Sequence, residues 1–187
     1  NYSVEVFPNK GRDIYPMLIQ MKERIDQYEY LLHIHTKKTI TQDYGDEWRN
    51  YLWHNLLGSS ANVKNIFFEF GTHRQIGIIY PIIYYKVFDQ LVNPYGSVGK
   101  SNQKKLELLC SKLHISKDKL QPNMTFPVSS MFWARTDAIR ELFSISDLLG
   151  FANECGQVDG TMAHAVERIF DLLAEKKGYE TLEILNQ

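Results

Sequence analysis

Two histidines two residues apart, His33 and His35, stand near the end of an apolar run at residues 30–36. If that run is a strand, its side chains alternate across the sheet and both imidazoles share one face. The end of a strand, where it opens into a loop, is where open α/β sheets bind ligands. Imidazole pairs hold divalent metals, and neutral imidazoles hydrogen-bond to phosphate and hydroxyl groups. Lys37 and Lys38 follow at once and carry the charge that would neutralise a diphosphate. His33 and His35 are therefore expected in a ligand site. The plainer alternative is two histidines satisfied by backbone groups at a crowded strand end.

Three other segments carry chemistry. In residues 9–13 (Asn-Lys-Gly-Arg-Asp), Gly11 permits a close backbone approach or a positive φ, Arg12 offers a planar fork for phosphate, and Asp13 accepts from ribose or sugar hydroxyls. Asn9 stands at the head of the same turn, and the alternative is a plain turn with Asp13 capping the next helix. In residues 154–160, Asp159 is expected at or near the N-cap of the last long helix, with Thr161 also available as a cap partner, and an acid there beside a crevice serves as a general base. Capping alone would also explain it. His164, five residues on, is placed facing the same cavity, and with His33 and His35 it is a candidate metal ligand, although spacing alone does not locate a third ligand. Glu167 and Arg168 are either neighbours of that cavity or a surface pair worth little. In residues 128–135, the hydroxyl of Ser130 and the ring of Trp133 are candidates for holding a sugar, with a core strand as the alternative.

These residues need elements to position them. Residues 4–7 alternate and read as a strand, followed by a helix with Met17, Leu18, Met21 and Ile25 inward and a second strand at 30–36. Strand, helix, strand implies a right-handed parallel crossover, and the apolar run at 30–36 suits an inner strand. Helices are expected at 47–57, capped by Asp46, at 62–70 with Gly71 as the stop, at 104–113, at 137–143 and at 160–177. Further strands are expected at 75–80, 128–135 and 179–185, with 86–99 irregular. The mixture predicts one α/β domain over residues 1–187, a mostly parallel central sheet flanked by helices.

Composition narrows the function classes. The 187 residues hold 21 Lys+Arg against 22 Asp+Glu, a net charge of -1, which argues against a general nucleic-acid binder. Hydrophobic residues at 44% and charged residues at 23% describe a folded domain rather than a disordered tail. Two cysteines far apart, Cys110 and Cys155, make neither a disulfide framework nor a zinc ribbon and suit a reducing compartment. No apolar run approaches the ~20 residues of a membrane helix. Phosphate loops of the Gly-x-x-x-x-Gly-Lys type, Gly-x-Ser-x-Gly elbows and His-Glu-x-x-His motifs are missing from the sequence.

Taken in order, residues 9–13, 33–38, 48–52 with 56–59, 130–135 and 156–168 resemble the rhamnan synthesis protein F family of bacterial polysaccharide glycosyltransferases. The resemblance implies sugar transfer from a nucleotide-diphosphate donor, typically deoxythymidine diphosphate rhamnose, to a polysaccharide or lipid-linked acceptor. It implies a GT-A layout, in which an Asp-x-Asp motif holds a metal against the donor diphosphate. Here His33 and His35 stand at the corresponding place. Asp oxygens suit magnesium or manganese whereas imidazole suits softer ions, so a divalent metal cofactor is left open. Asp159 falls at the position of the base in inverting members, Asn9, Gly11, Arg12, Asp13, His33, His35, Lys37 and Lys38 fall to the donor, and His164 to a further metal or diphosphate contact. The chain is expected to be the C-terminal portion of a longer transferase, without the N-terminal nucleotide-binding strands, acting in the cytoplasm or on the inner face of the cell membrane and open to self-association through a sheet edge.

The competing class is a non-catalytic carbohydrate-binding or assembly module of a polysaccharide synthesis enzyme. A third is a metal-dependent hydrolase built on His33, His35 and His164.

Overall fold

Residues 76–81 form β2, Ile76–Pro81, buried along its whole length. A strand without an exposed residue must be covered on both faces. The computed structural model, which describes residues 2–36, 43–91, 101–122 and 124–186, covers it with helices on each side. The other strands are β1, Tyr30–His33, β3, Phe132–Arg135, and β4, Glu180–Ile184. The helices are α1, Ile14–Met21, α2, Gly45–Leu57, α3, Ser60–Thr72, α4, Tyr85–Leu91, α5, Gln103–Lys112, α6, Thr136–Ser144, α7, Met162–Glu167, and α8, Phe170–Lys176.

The sheet order is β1-β3-β2-β4. β1 and β2 both run antiparallel to β3, and among the described residues only β2 and β4 are parallel. The expectation of a mostly parallel sheet is therefore corrected: the sheet is mixed and mostly antiparallel. The reason lies at residues 4–7, which form no strand; Val4 and Val6 are 81% and 95% exposed. Without that strand there is no crossover into β1, and β1 is an edge rather than an inner strand. An apolar run reports covered faces and says nothing about the direction of its neighbours.

The alternation along β3 sorts the two layers. Phe132 and Ala134 join the main core with α1, α5, α6, α7 and α8. Trp133 faces the other side, toward α2 and α3. His33 is the register partner of Phe132, so it belongs to the first face. Other boundaries move for local reasons. α3 runs through Gly71 and ends at His73, whose N–H bonds the Glu69 carbonyl. One glycine costs a helix only ~1 kcal/mol, which a packed face outweighs. The helix expected at 160–177 is two helices, because the N–H groups of Arg168 and Ile169 bond carbonyls three residues back, at 3.2 and 3.1 Å, and tighten the chain there. α4 occupies part of the stretch expected to be irregular. Residues 92–100 lie outside the described residues, as do Lys37 and Lys38. Among the described residues, no helix is long and apolar enough to cross a membrane.

Candidate functional site

The turn before α1 is built on Gly11, with φ +62°; a Cβ there would meet Phe151 at 2.6 Å and Tyr15 at 2.7 Å. Its N–H bonds the Ala152 carbonyl at 3.1 Å, which sets residues 9–13 beside the segment leading to α7. Arg12 is also left-handed, φ 55°, at a cost of ~1–2 kcal/mol for a residue with a Cβ. Its N–H bonds Glu154 Oε1 at 3.1 Å, and its guanidinium Nη1 reaches His164 Nε2 at 2.7 Å. Asp13 occupies the N-cap position of α1 but makes no capping hydrogen bond. Its Oδ2 is instead buried without a hydrogen-bond partner among the described residues, 3.8 Å from His35 Nε2.

His33 and His35 do share a face, with ring centroids 5.9 Å apart. Each bonds a backbone carbonyl of the turn before β3: His33 Nδ1 that of Ser130 at 2.5 Å, and His35 Nε2 that of Ser129 at 2.8 Å. A carbonyl only accepts, so each of these ring nitrogens carries a proton. Burial pushes the His33 pKa below the ordinary histidine value and keeps its ring neutral. Ser129 and Ser130 are consecutive left-handed residues, φ 81° and 58°. Such backbone costs ~1–3 kcal/mol per residue and persists only where surroundings enforce it. Here the enforcing groups are the two imidazoles on the carbonyls and Glu167, whose Oε1 accepts the Ser129 N–H at 2.6 Å.

α7 supplies the third side. Its N-cap is Thr161, not Asp159. Arg12 is always a donor, so its contact fixes His164 Nε2 as the acceptor; the neutral ring then carries its proton on Nδ1, 2.7 Å from Thr161 Oγ1. The approach of the Thr161 N–H to the same Nδ1, at 3.3 Å, is then proximity rather than a bond. Burial first, and the Arg12 guanidinium second, push the His164 pKa down to about 4. Arg168, almost wholly buried, donates to the His164 carbonyl at 2.6 Å and to Asp159 Oδ1 at 3.2 Å, and lies 5.4 Å from the Phe126 ring. Asp159 also accepts from Asn102 Nδ2 at 2.6 Å on Oδ1 and from the Ser101 hydroxyl at 2.5 Å on Oδ2.

A circuit of contacts results, closed only by the peptide bond that joins Arg12 to Asp13. It runs from Asp13 to His35, to the Ser129 carbonyl, through the Ser129 N–H to Glu167, to Arg168 at 3.9 Å, and on to His164 and Arg12, with Asp159 attached at Arg168. The histidine strand, the glycine turn and the segment heading α7 thus meet in one place. With His33 and His164 neutral, two arginines face Asp13, Glu154, Asp159 and Glu167. The carboxylates suit hydroxyl donors, whereas Arg12, with 43% of its side chain exposed, is the cation open to an anion.

The description "Rhamnan synthesis protein F" belongs to the family that matches residues 1–179. The chain belongs to the rhamnan synthesis protein F family. It is also 33% identical over 183 residues to an uncharacterized protein, WxcX, of Xanthomonas campestris pv. campestris, in strain B100 and in strain ATCC 33913. The match covers 97% of this chain and 25% of the relative, so the chain spans about a quarter of the length of the curated relatives it matches. No solved structure matches it.

Within this family member, not every expected residue joins the circuit. Trp133 lies on the opposite face of the sheet; its indole N–H bonds the Leu56 carbonyl at 3.2 Å and its ring packs on Phe67 at 5.2 Å. It is a packing residue there, apart from the histidines. Ser130 takes part through its carbonyl. Asn9 takes part through its carbonyl as well, which accepts the Glu154 N–H at 3.0 Å. A metal on His33, His35 and His164 does not fit. Both nitrogens of His164 are engaged, by Arg12 and Thr161, and no group of three His, Cys, Asp or Glu residues that could hold a metal ion occurs among the described residues. Ser101, Asn102 and the carbonyl of Ser129 were not foreseen, and no sequence signal marks them. Glu167 and Arg168 had one: they lie three and four residues beyond His164, hence on its face of the helix.

Proposed function

We propose that this chain is part of a glycosyltransferase of bacterial cell-surface polysaccharide synthesis, moving a sugar, rhamnose by the family's description, from a nucleotide-diphosphate donor. The observation that carries the reading is the circuit of polar side chains from the glycine turn, the histidine strand and α7, with Asp159 on its rim. In the proposed step, the acceptor hydroxyl takes the place of the Ser101 hydroxyl on Asp159 Oδ2. Its oxygen attacks the anomeric carbon as the bond to the diphosphate breaks, and its proton passes to Asp159. Arg12 meets the charge of the departing diphosphate, a role the sequence also assigns to Lys37 and Lys38, which lie outside the described residues. No step runs through a metal. The antiparallel pairings lend no support to a GT-A layout, and the proposal does not depend on one. The proposed place of the reaction is the cytoplasm or the inner face of the cell membrane, on the side that holds nucleotide-sugar donors.

The test is Asp159→Asn in the full protein. Transfer from deoxythymidine diphosphate rhamnose should fall by at least ~10²-fold while donor binding by calorimetry is retained; unchanged turnover refutes the base.

One observation favours a second reading, a carbohydrate-binding module without transfer. Both oxygens of Asp159 are already engaged by Ser101, Asn102 and Arg168, which is how a purely positioning carboxylate looks. Calorimetry that detects an oligosaccharide and no response to the sugar nucleotide would select it.

A further inference from the structure

The circuit leaves one carboxyl unexplained. Asp171, in the first turn of α8, is only 8% exposed. Its Oδ2 takes three hydroxyls, those of Tyr80 at 2.6 Å, Thr125 at 2.7 Å and Thr181 at 3.3 Å. Its Oδ1 is buried and has no hydrogen-bond partner among the described residues. A buried oxygen that has lost its hydration and gained no donor is an unfavourable arrangement unless something else occupies it. Asp171 forms part of the wall of a cavity of about 490 Å³, within the ~300–1,000 Å³ typical of small-molecule sites.

The lining restricts the ligand. Thr125, Thr181 and Gln121 offer neutral polar groups, and Tyr179 and Met124 offer apolar surface. The cavity's lysine, Lys119, is paired with Glu175 at 2.7 Å. Asp118, Asp171 and Glu180 remain, so an anion is disfavoured. Burial pushes the Asp171 pKa up, so a ligand needing its full negative charge is disfavoured as well. A hydroxyl both donates and accepts, and so satisfies Oδ1 in either protonation state.

We propose that this cavity is a saccharide subsite, in which a side-chain rearrangement opens the bare Oδ1 of Asp171, itself without accessible surface, to a hydroxyl of a neutral sugar unit, a second hydroxyl donates to Glu180, and Tyr179 supplies apolar contact. The choice of a saccharide rests on the proposed role in polysaccharide synthesis; the cavity and the bare oxygen do not. The subsite adjoins the circuit through one short segment. Thr125 lines the cavity, Phe126 lies against Arg168, and the Ser129 and Ser130 carbonyls receive the histidines. Thr125 and Ser130 are five residues apart, so at most ~18 Å of chain separates the two places. One polymer could thus span both, with its growing end at Asp159 and an earlier unit held at Asp171.

The experiment is an NMR titration of the full protein with a methyl-capped trirhamnoside, and with spermidine as the cationic control. The trirhamnoside should shift the amides of Thr125, Asp171 and Thr181, and should still do so in Asp159→Asn. Glu180→Gln, a rim change with little risk to folding, should weaken that binding about fivefold, and Asp171→Asn about tenfold. Amides that stay unmoved at millimolar trirhamnoside, shifts insensitive to both substitutions, or shifts with spermidine alone would each overturn the proposal. Failure of sugar transfer or of nucleotide binding leaves this readout unaffected, so the two readings fail separately.

Discussion

The contact between Arg12 and His164 makes a prediction that a stability measurement can decide. With its pKa at about 4 in the folded protein against ~6.5 in the unfolded chain, His164 is neutral in both states at pH 7.5. As pH falls below 6.5 the unfolded chain binds a proton that the folded protein refuses. Stability must therefore fall with falling pH, and the loss is complete only below pH 4. At one proton, 2.5 units correspond to about 3 kcal/mol in all, of which about 2 kcal/mol is lost by pH 5. His33 acts in the same direction, since burial lowers its pKa too. Asp171 and Glu183, raised by burial, act in the opposite direction.

A substitution separates these contributions. In His164→Gln the amide oxygen can still accept from Arg12, but nothing at that position titrates. Urea unfolding at pH 7.5 and pH 5.0 should show the wild-type protein losing about 2 kcal/mol more than the variant between the two conditions. The difference of differences cancels His33 and the carboxyls, provided the variant's fold is unchanged. Equal losses in the two proteins would mean that His164 is not a buried, neutral acceptor. The circuit would then be broken at the point where α7 meets the glycine turn.

Three further outcomes follow from the same geometry. Gly11→Ala, which adds left-handed strain to a Cβ overlapping Phe151 and Tyr15, should destabilise the protein by at least ~2 kcal/mol in urea titration. Asp159→Asn should leave Arg168 with less compensation for its buried charge and cost ~1–3 kcal/mol of stability, so the loss of transfer must be measured well below the unfolding midpoint. Trp133→Phe keeps the ring against Phe67 and loses the bond to the Leu56 carbonyl; it should cost ~1 kcal/mol and leave saccharide binding as it was, and a lost saccharide response would restore Trp133 to the site.

Element type was legible where periodicity reports burial. The helical spacing of Met17, Leu18 and Met21 and the unbroken apolar run of β2 each formed the element their pattern implies. Strand direction was not legible. Residues 4–7 alternate as a strand does, yet lack a partner strand among the described residues, and local alternation carries no information about partners. Likewise α3 passes through Gly71 because packing of Ile66 and Phe70, 2% and 0% exposed, outweighs the propensity of one residue.

The site divides along the same line. His33 and His35 could be placed together because a period of two is a property of the strand itself. What they face could not be read, since it depends on Ser129 and Ser130, whose left-handed backbone is typical of neither residue and is imposed by groups distant in sequence. Asp159 shows the consequence most sharply. By position it reads as a cap, and a cap needs only the backbone that follows it. In the fold that duty belongs to Thr161, and the Asp159 carboxylate turns to Asn102, Ser101 and Arg168. A carboxylate released from capping and held by side chains from two other elements has been placed by the tertiary structure. Such an acid can exchange one of its donors, the Ser101 hydroxyl on Oδ2, for a ligand hydroxyl without unwinding a helix.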